Sequence, residues 1–192
     1  METVKVKCPV SEKKRKYMKQ NWRIFMDRLL TEKEALEKTI VMWTWIAENT
    51  QLRKKPVSKQ EWLGQNETEA VHSNCYLCEY SYQVHRSLRI HCETCLIKNW
   101  FLTEPENRQK TDCVNHCSPY YWYRTLLENP EYYRYCMDNI DESLLSCEQS
   151  LGLMPGDPVW KKAAAYAGAI VRLAQEALNS LNDKTKGEPE TL

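Results

Sequence analysis

Four of the nine cysteines are spaced for metal chemistry. Cys75-x2-Cys78 and Cys92-x2-Cys95 are two CxxC pairs separated by thirteen residues. A two-residue gap lets both sulfurs of a pair converge on one ion at about 2.3 Å, and a returning second pair completes a tetrahedron of thiolates. The spacing therefore predicts a four-thiolate Zn2+ site, which would contribute on the order of ten kcal/mol to folding at neutral pH. Mixed ligation is the alternative, with Cys113, Cys117, His91, His116 or His72 replacing one of the four. His91 abuts Cys92, and Cys113-x3-Cys117 encloses His116, so a second site also stays open. A redox CxxC would need a βαβ setting that the flanks do not suggest. Cys136 and Cys147 fall inside an apolar helical pattern and read as small buried hydrophobes. Cys8 lies in a basic leader and reads as an exposed thiol.

No other reactive constellation is spelled out. A filled thiolate shell leaves no open position for substrate, unlike a catalytic zinc. His91-Cys92-Glu93 matches the first triplet of a deaminase signature. The following Cys113-x3-Cys117 is one residue too wide, and no Pro precedes either CxxC. GxSxG, Walker and HExxH motifs are absent from the sequence. No catalytic residue is assigned, and the chain is not expected to be an enzyme.

Composition narrows the class further. With 192 residues, 42% apolar and 28% charged, the chain can bury a core without covalent staples and is not disordered over most of its length. Five glycines are too few for a Gly-rich phosphate cradle or a turn-rich β fold. No apolar run approaches 18 residues, so no membrane association is expected. An odd cysteine count, and a start from Met1 to Cys8 without the apolar stretch of a secretory signal, point to a reducing, cytoplasmic setting. Asn66-Glu67-Thr68 then carries no glycosylation meaning.

The elements that must position the cysteines read as helices. Residues 1–19 form a flexible basic leader containing Lys13, Lys14, Arg15 and Lys16. Helical periodicity begins with Trp22, Phe25, Met26, Leu29 and Leu30. Thr31 followed by Glu34 is a capping-box spacing that opens a helix. Leu36, Ile40, Trp43, Ile46 and Ala47 give that helix one face, widened by Val41 and Trp45, and its end is expected near Asn49. Residues 50–74 read as a connector with a short element around Trp62. Tyr80, Tyr82 and Val84 alternate as a strand would, yet a helix leaving the first CxxC suits the window equally. Residues 118–128 read as a short helix with Pro119 in its first turn, and Asn129-Pro130 restarts the chain as another. Tyr133, Cys136, Met137, Ile140, Leu144, Cys147 and Leu151 continue one stripe, which Gly152 ends. Asp157-Pro158 begins a last helix whose stripe runs from Trp160 to Leu181, with alanines and Gly168 allowing close helix approach. The expected architecture is mainly α, a helical bundle-like domain over 20–182 with at most short β elements. It is organised around a zinc segment at 72–117, with C-terminal helices at 129–151 and 157–182 and a flexible tail at 183–192.

Met42-Trp43-Thr44-Trp45-Ile46-Ala47-Glu48, then Cys75-Tyr76-Leu77-Cys78-Glu79-Tyr80, then Cys92-x2-Cys95 and the block Pro119-Tyr120…Trp122 occur in that order. The combination resembles a family of small cysteine-rich proteins of bacteriophages and prophages, over roughly residues 31–125. The resemblance implies an intracellular phage product, in the host cell cytoplasm, with Cys75, Cys78, Cys92 and Cys95 as metal ligands and Cys113 a weaker fifth. It supplies no reaction.

Two binding functions compete. Residues 1–60 hold fifteen Lys/Arg against seven Asp/Glu, a local +8, while the other 132 hold twelve against nineteen, a local −7. Lys13, Lys14, Arg15 and Lys16 could therefore track a nucleic-acid backbone. The zinc segment itself is not basic: residues 75–95 balance Arg86 and Arg89 against Glu79 and Glu93. Seven Trp and eleven Tyr favour protein binding, because these types dominate interface hot spots. Tyr120, Tyr121, Trp122 and Tyr123 cannot all face inward on one short helix; those that do would form a substitute core around the metal. The expectation is a zinc-stabilised protein-binding module, a phage-type accessory protein that modulates or inhibits a host or phage protein. Nucleic-acid binding is the alternative, and opposite charge on the two parts also allows homo-oligomers.

Overall fold

The structure is a computed structural model. It describes residues 30–66, 76–85, 94–100, 102 and 118–187. The chain divides into two compact units, Met1–Leu30 and Thr31–Leu192. Only Leu30 of the first is among the described residues, so the helix expected from Trp22 and the basic leader lie outside them. Within the second unit the described residues form seven helices and no strands: α1 Glu32–Arg53, α2 Lys59–Gln65, α3 Tyr76–His85, α4 Pro119–Glu128, α5 Pro130–Asp138, α6 Glu142–Ser150 and α7 Val159–Gly187. Where the sequence left strand and helix open after the first CxxC, the chain is helical.

Two long helices make the frame. α1 and α7 pack along each other, α4 lies on α7, and α3 lies on α1. α1 opens at the expected box: the Thr31 hydroxyl accepts the Glu34 N–H at 3.1 Å, and Glu34 Oε2 accepts the Thr31 N–H at 2.9 Å. Ala35, Leu36, Thr39, Met42, Trp43, Ile46 and Thr50 are its buried stripe. Val41, expected to widen that face, is exposed. The helix also runs a turn beyond Asn49, to Arg53. That turn buries Thr50, whose hydroxyl accepts the Val57 N–H at 3.1 Å, and brings the Arg53 guanidinium to 2.9 Å from Glu61 on α2.

α7 places Ala163, Ala164, Tyr166, Ala167, Ile170, Leu173, Ala174 and Leu178 in the core. Small side chains on this face let the α1 and α7 backbones approach, so Trp43, Met42 and Leu36 can be covered completely. Gly168 is not part of that approach, since a Cβ there would meet nothing within 4 Å. The helix also continues past 182 to Gly187, because Asp183 to Lys186 include no breaker. The expected tail is therefore helical through 187.

The single helix expected at 129–151 is two. α5 ends after Asp138 and α6 restarts at Asp141, whose carboxylate caps the Leu144 N–H at 3.0 Å. The turn is a Schellman motif: Ile140 takes φ +56°, its N–H reaches the Met137 carbonyl at 3.4 Å, and the Asp141 N–H reaches the Cys136 carbonyl at 2.9 Å. α6 ends in the same way at Gly152, with φ +66° and the Leu153 N–H on the Glu148 carbonyl at 2.9 Å. Glycine adopts this backbone freely, whereas a β-branched residue is strained in it.

Two substitutions test this backbone account by thermal unfolding. Gly168→Ala should stabilise by about 0.5–1 kcal/mol, because it removes glycine's helix penalty without a clash. Ile140→Gly should also stabilise, by about 0.5–1 kcal/mol, since relief of about 1–2 kcal/mol of left-handed strain outweighs the added entropy of glycine. At this chain length each kcal/mol is read as a Tm rise of about 2–4 °C. A lowered Tm for Gly168→Ala would mean that the helix surface at that position is not open.

Candidate functional site

The expected metal site is described in part. Cys78 stands in the first turn of α3, half buried, and Cys95 is buried in the irregular stretch 94–100. Cys75, Cys92, Cys113, Cys117, His91 and His116 lie outside the described residues. Among those described, no three His, Cys, Asp or Glu side chains gather as a metal set. The two cysteine-bearing segments both contribute to one open cleft. Tyr80 of α3 and Leu96 and Ile97 near Cys95 line this cleft of about 570 Å³, together with Leu36 of α1 and Leu173 of α7. The Tyr80 hydroxyl donates to Glu32 Oε1 at 3.1 Å, which ties α3 to the start of α1. Burial, then the Glu32 carboxylate, push the Tyr80 phenol above its ordinary range.

The aromatic block is divided by burial. Trp122 and Tyr123 are core: the Tyr123 ring meets Trp43 edge-on at 4.8 Å, and its hydroxyl donates to the Val57 carbonyl. Neither can present itself to a partner, which corrects their place among the expected contact residues; a helix this short must spend its inward positions on the core. Tyr120 and Tyr121 are half buried. Tyr120 packs edge-on to Trp43 at 5.9 Å, and Tyr121 edge-on to Trp122 at 4.9 Å. Among the described residues, the exposed tyrosines are on the next helix. Tyr132 and Tyr135 are 36% and 62% accessible, with rings 6.4 Å apart and 19° from parallel. The neighbouring Cys136, first through hydrogen bonding and then electrostatically, holds the Tyr132 phenol above its usual range. Cys136 and Cys147 are buried, as expected. Lys13, Lys14, Arg15 and Lys16 lie outside the described residues.

Beneath the tyrosine helix lies a cluster that sequence reasoning missed. Lys162 of α7 and Glu148 of α6 form an ion pair at 2.9 Å, with each side chain almost wholly buried. Glu148 Oε1 accepts the Tyr133 hydroxyl at 2.6 Å and the Tyr166 hydroxyl at 3.0 Å. Burial raises both phenols, with neighbouring Glu148 adding to the shift, so they remain neutral donors. Lys162 also reaches the Met137 sulfur at 3.5 Å. The signal was present: Lys162, Tyr166, Ala169 and Leu173 follow one another at helical spacing, and all are buried. A lysine on an apolar face needs a buried acid, and Glu148 supplies it.

Comparison with protein-family models, with curated proteins and with solved structures found no match for this chain.

The buried pair predicts a double-mutant cycle. Lys162→Met alone should cost about 3–5 kcal/mol, because it leaves the Glu148 charge buried without its cation. Adding Glu148→Gln should recover part of that loss, since glutamine still accepts from the two phenols without a charge. Denaturant unfolding of the four proteins measures the coupling; costs that simply add would show that the pair does not interact.

Proposed function

We propose that this chain is a zinc-stabilised helical module that binds a protein partner and modulates it, as an accessory protein of phage type working in the cytoplasm. The carrying observation is the exposure of Tyr132 and Tyr135 on α5 while Tyr133, between them, is locked into the core. Tyrosine offers large rigid contact area at low entropic cost and is enriched among the residues that dominate binding interfaces.

Zinc has a supporting role in this reading. Cys75, Cys78, Cys92 and Cys95 would hold it as thiolates, and the ion would tie the segments around α3 to the stretch before Trp100. Tyr80 of the Cys78 helix and Leu96 next to Cys95 line the same cleft, which is compatible with that pairing. Closed thiolate coordination supplies folding energy and no reaction centre. No helix among the described residues is long and apolar enough to cross a membrane.

Capture from a host lysate tests the binding. Wild-type protein should retain a defined protein, and Tyr132→Ala/Tyr135→Ala should lose it while keeping the same helix content by circular dichroism. Failure to recover any reproducible partner would count against the module. Elemental analysis should find one zinc per chain, and chelator should lower the Tm of the wild type but not of Cys78→Ser/Cys95→Ser. Metal-free protein with an unchanged Tm would remove zinc from the account.

A further inference from the structure

We infer that the exposed face of α5 takes an arginine- and lysine-rich segment of its partner, an inference that rests on the protein-binding reading above. Glu131, Tyr135 and Asp138 stand at i, i+4 and i+7, so acid, ring and acid follow one another along one side of the helix. All three are exposed. Neither carboxylate enters an ion pair among the described residues, whereas nearby Glu128 is held by Arg124 at 2.6 Å. The exposed acidic side chains of 129–151 include Glu131, Asp138 and Glu142, against Arg134 as the sole basic residue of that stretch.

The rings add a geometric preference to the charge. Tyr132 and Tyr135 are stacked, with centroids 6.4 Å apart and planes 19° from parallel, and these exposed rings share α5 with the carboxylates of Glu131 and Asp138. A planar guanidinium can stack on such a face and donate to a carboxylate beside it at the same time. An anionic peptide would meet two carboxylates here against the single cation Arg134, which stands i+3 from Glu131 and i−4 from Asp138, and an uncharged apolar one would add no cation for the second acid. Charge complementarity and ring geometry thus select the same side chain, arginine, with lysine as a weaker substitute.

Fluorescence anisotropy tests this with short fluorescein-labelled peptides of alternating arginine and glycine, lysine and glycine, or glutamate and glycine. Wild-type protein should bind the arginine peptide best, the lysine peptide less tightly and the glutamate peptide not at all, with affinity falling as salt is added. Glu131→Gln/Asp138→Asn and Tyr132→Ala/Tyr135→Ala should each weaken the arginine peptide by about tenfold. Both variants alter exposed side chains, and unchanged Tm values would confirm intact folds. Equal binding of the arginine peptide by either variant, or equal binding of the glutamate peptide, overturns the inference. So does a partner that is captured from lysate with the same salt resistance by wild type and Glu131→Gln/Asp138→Asn; that result leaves the protein-binding reading standing. Dimerisation lost in the two double variants would overturn it too, by making a second copy the occupant.

Discussion

A lysine ammonium and a glutamate carboxylate sealed in the core constrain the C-terminal half of this protein. Burying either charge alone is prohibitive, and the pair is tolerable only when geometry is good and the remaining acceptor sites are filled. Here Lys162 fills one carboxylate oxygen, and Tyr133 and Tyr166 fill the other. The three donors come from two helices, α5 and α7, and the acceptor from a third, α6. Any register shift of one helix against the others would strand a charge or a phenol. Apolar packing of alanines on α7 would tolerate several registers; this cluster tolerates one.

The same constraint dictates the path of the backbone. In one continuous helix, Tyr133 and Glu148 would stand about 22 Å apart along the axis, beyond the reach of their side chains. Their hydrogen bond at 2.6 Å requires the chain to turn between them, and the turn at Asn139–Asp141 does so. With Tyr133 fixed inward, helical geometry leaves Tyr132 and Tyr135 on the outer side of α5. The buried pair therefore positions the exposed rings without touching them. A rigid platform loses less entropy on binding than one that must first be ordered.

Local chemistry was legible in the sequence and long-range pairing was not. Thr31 with Glu34, Ser118 with Pro119, Asn129 with Pro130, and Gly152 all act within four residues of themselves, so residue type alone reveals the cap. The break at Ile140 was hidden for two reasons. A Schellman turn is recognised by glycine, and here the left-handed position carries isoleucine. The apolar spacing also runs on through the turn, because Cys136 on α5 and Leu144 and Cys147 on α6 face the same core. The apolar spacing around Lys162 marked it as inward-facing, but charges are read as solvent-facing, and its partnership with Glu148 spans two helices. Of the expected thiolates, Cys78 and Cys95 are among the described residues, and the segments that carry them line the same cleft. The division of the aromatic block depends on which side of α4 meets Trp43, a tertiary fact that composition does not contain.

Two unfavourable features meet where the outer side of α5 ends. Ile140 holds a left-handed backbone that glycine would adopt without strain, and its side chain is 67% accessible to water. Neither cost is needed to make the turn, since Gly152 closes α6 with the same hydrogen bonds and no side chain. The capping of α6 does not need it either, because Asp141 performs that alone. What isoleucine adds over glycine is an apolar group standing in solvent just past Asp138. There it gives an aliphatic end to a helix whose exposed side chains otherwise include tyrosine, carboxylate and Arg134.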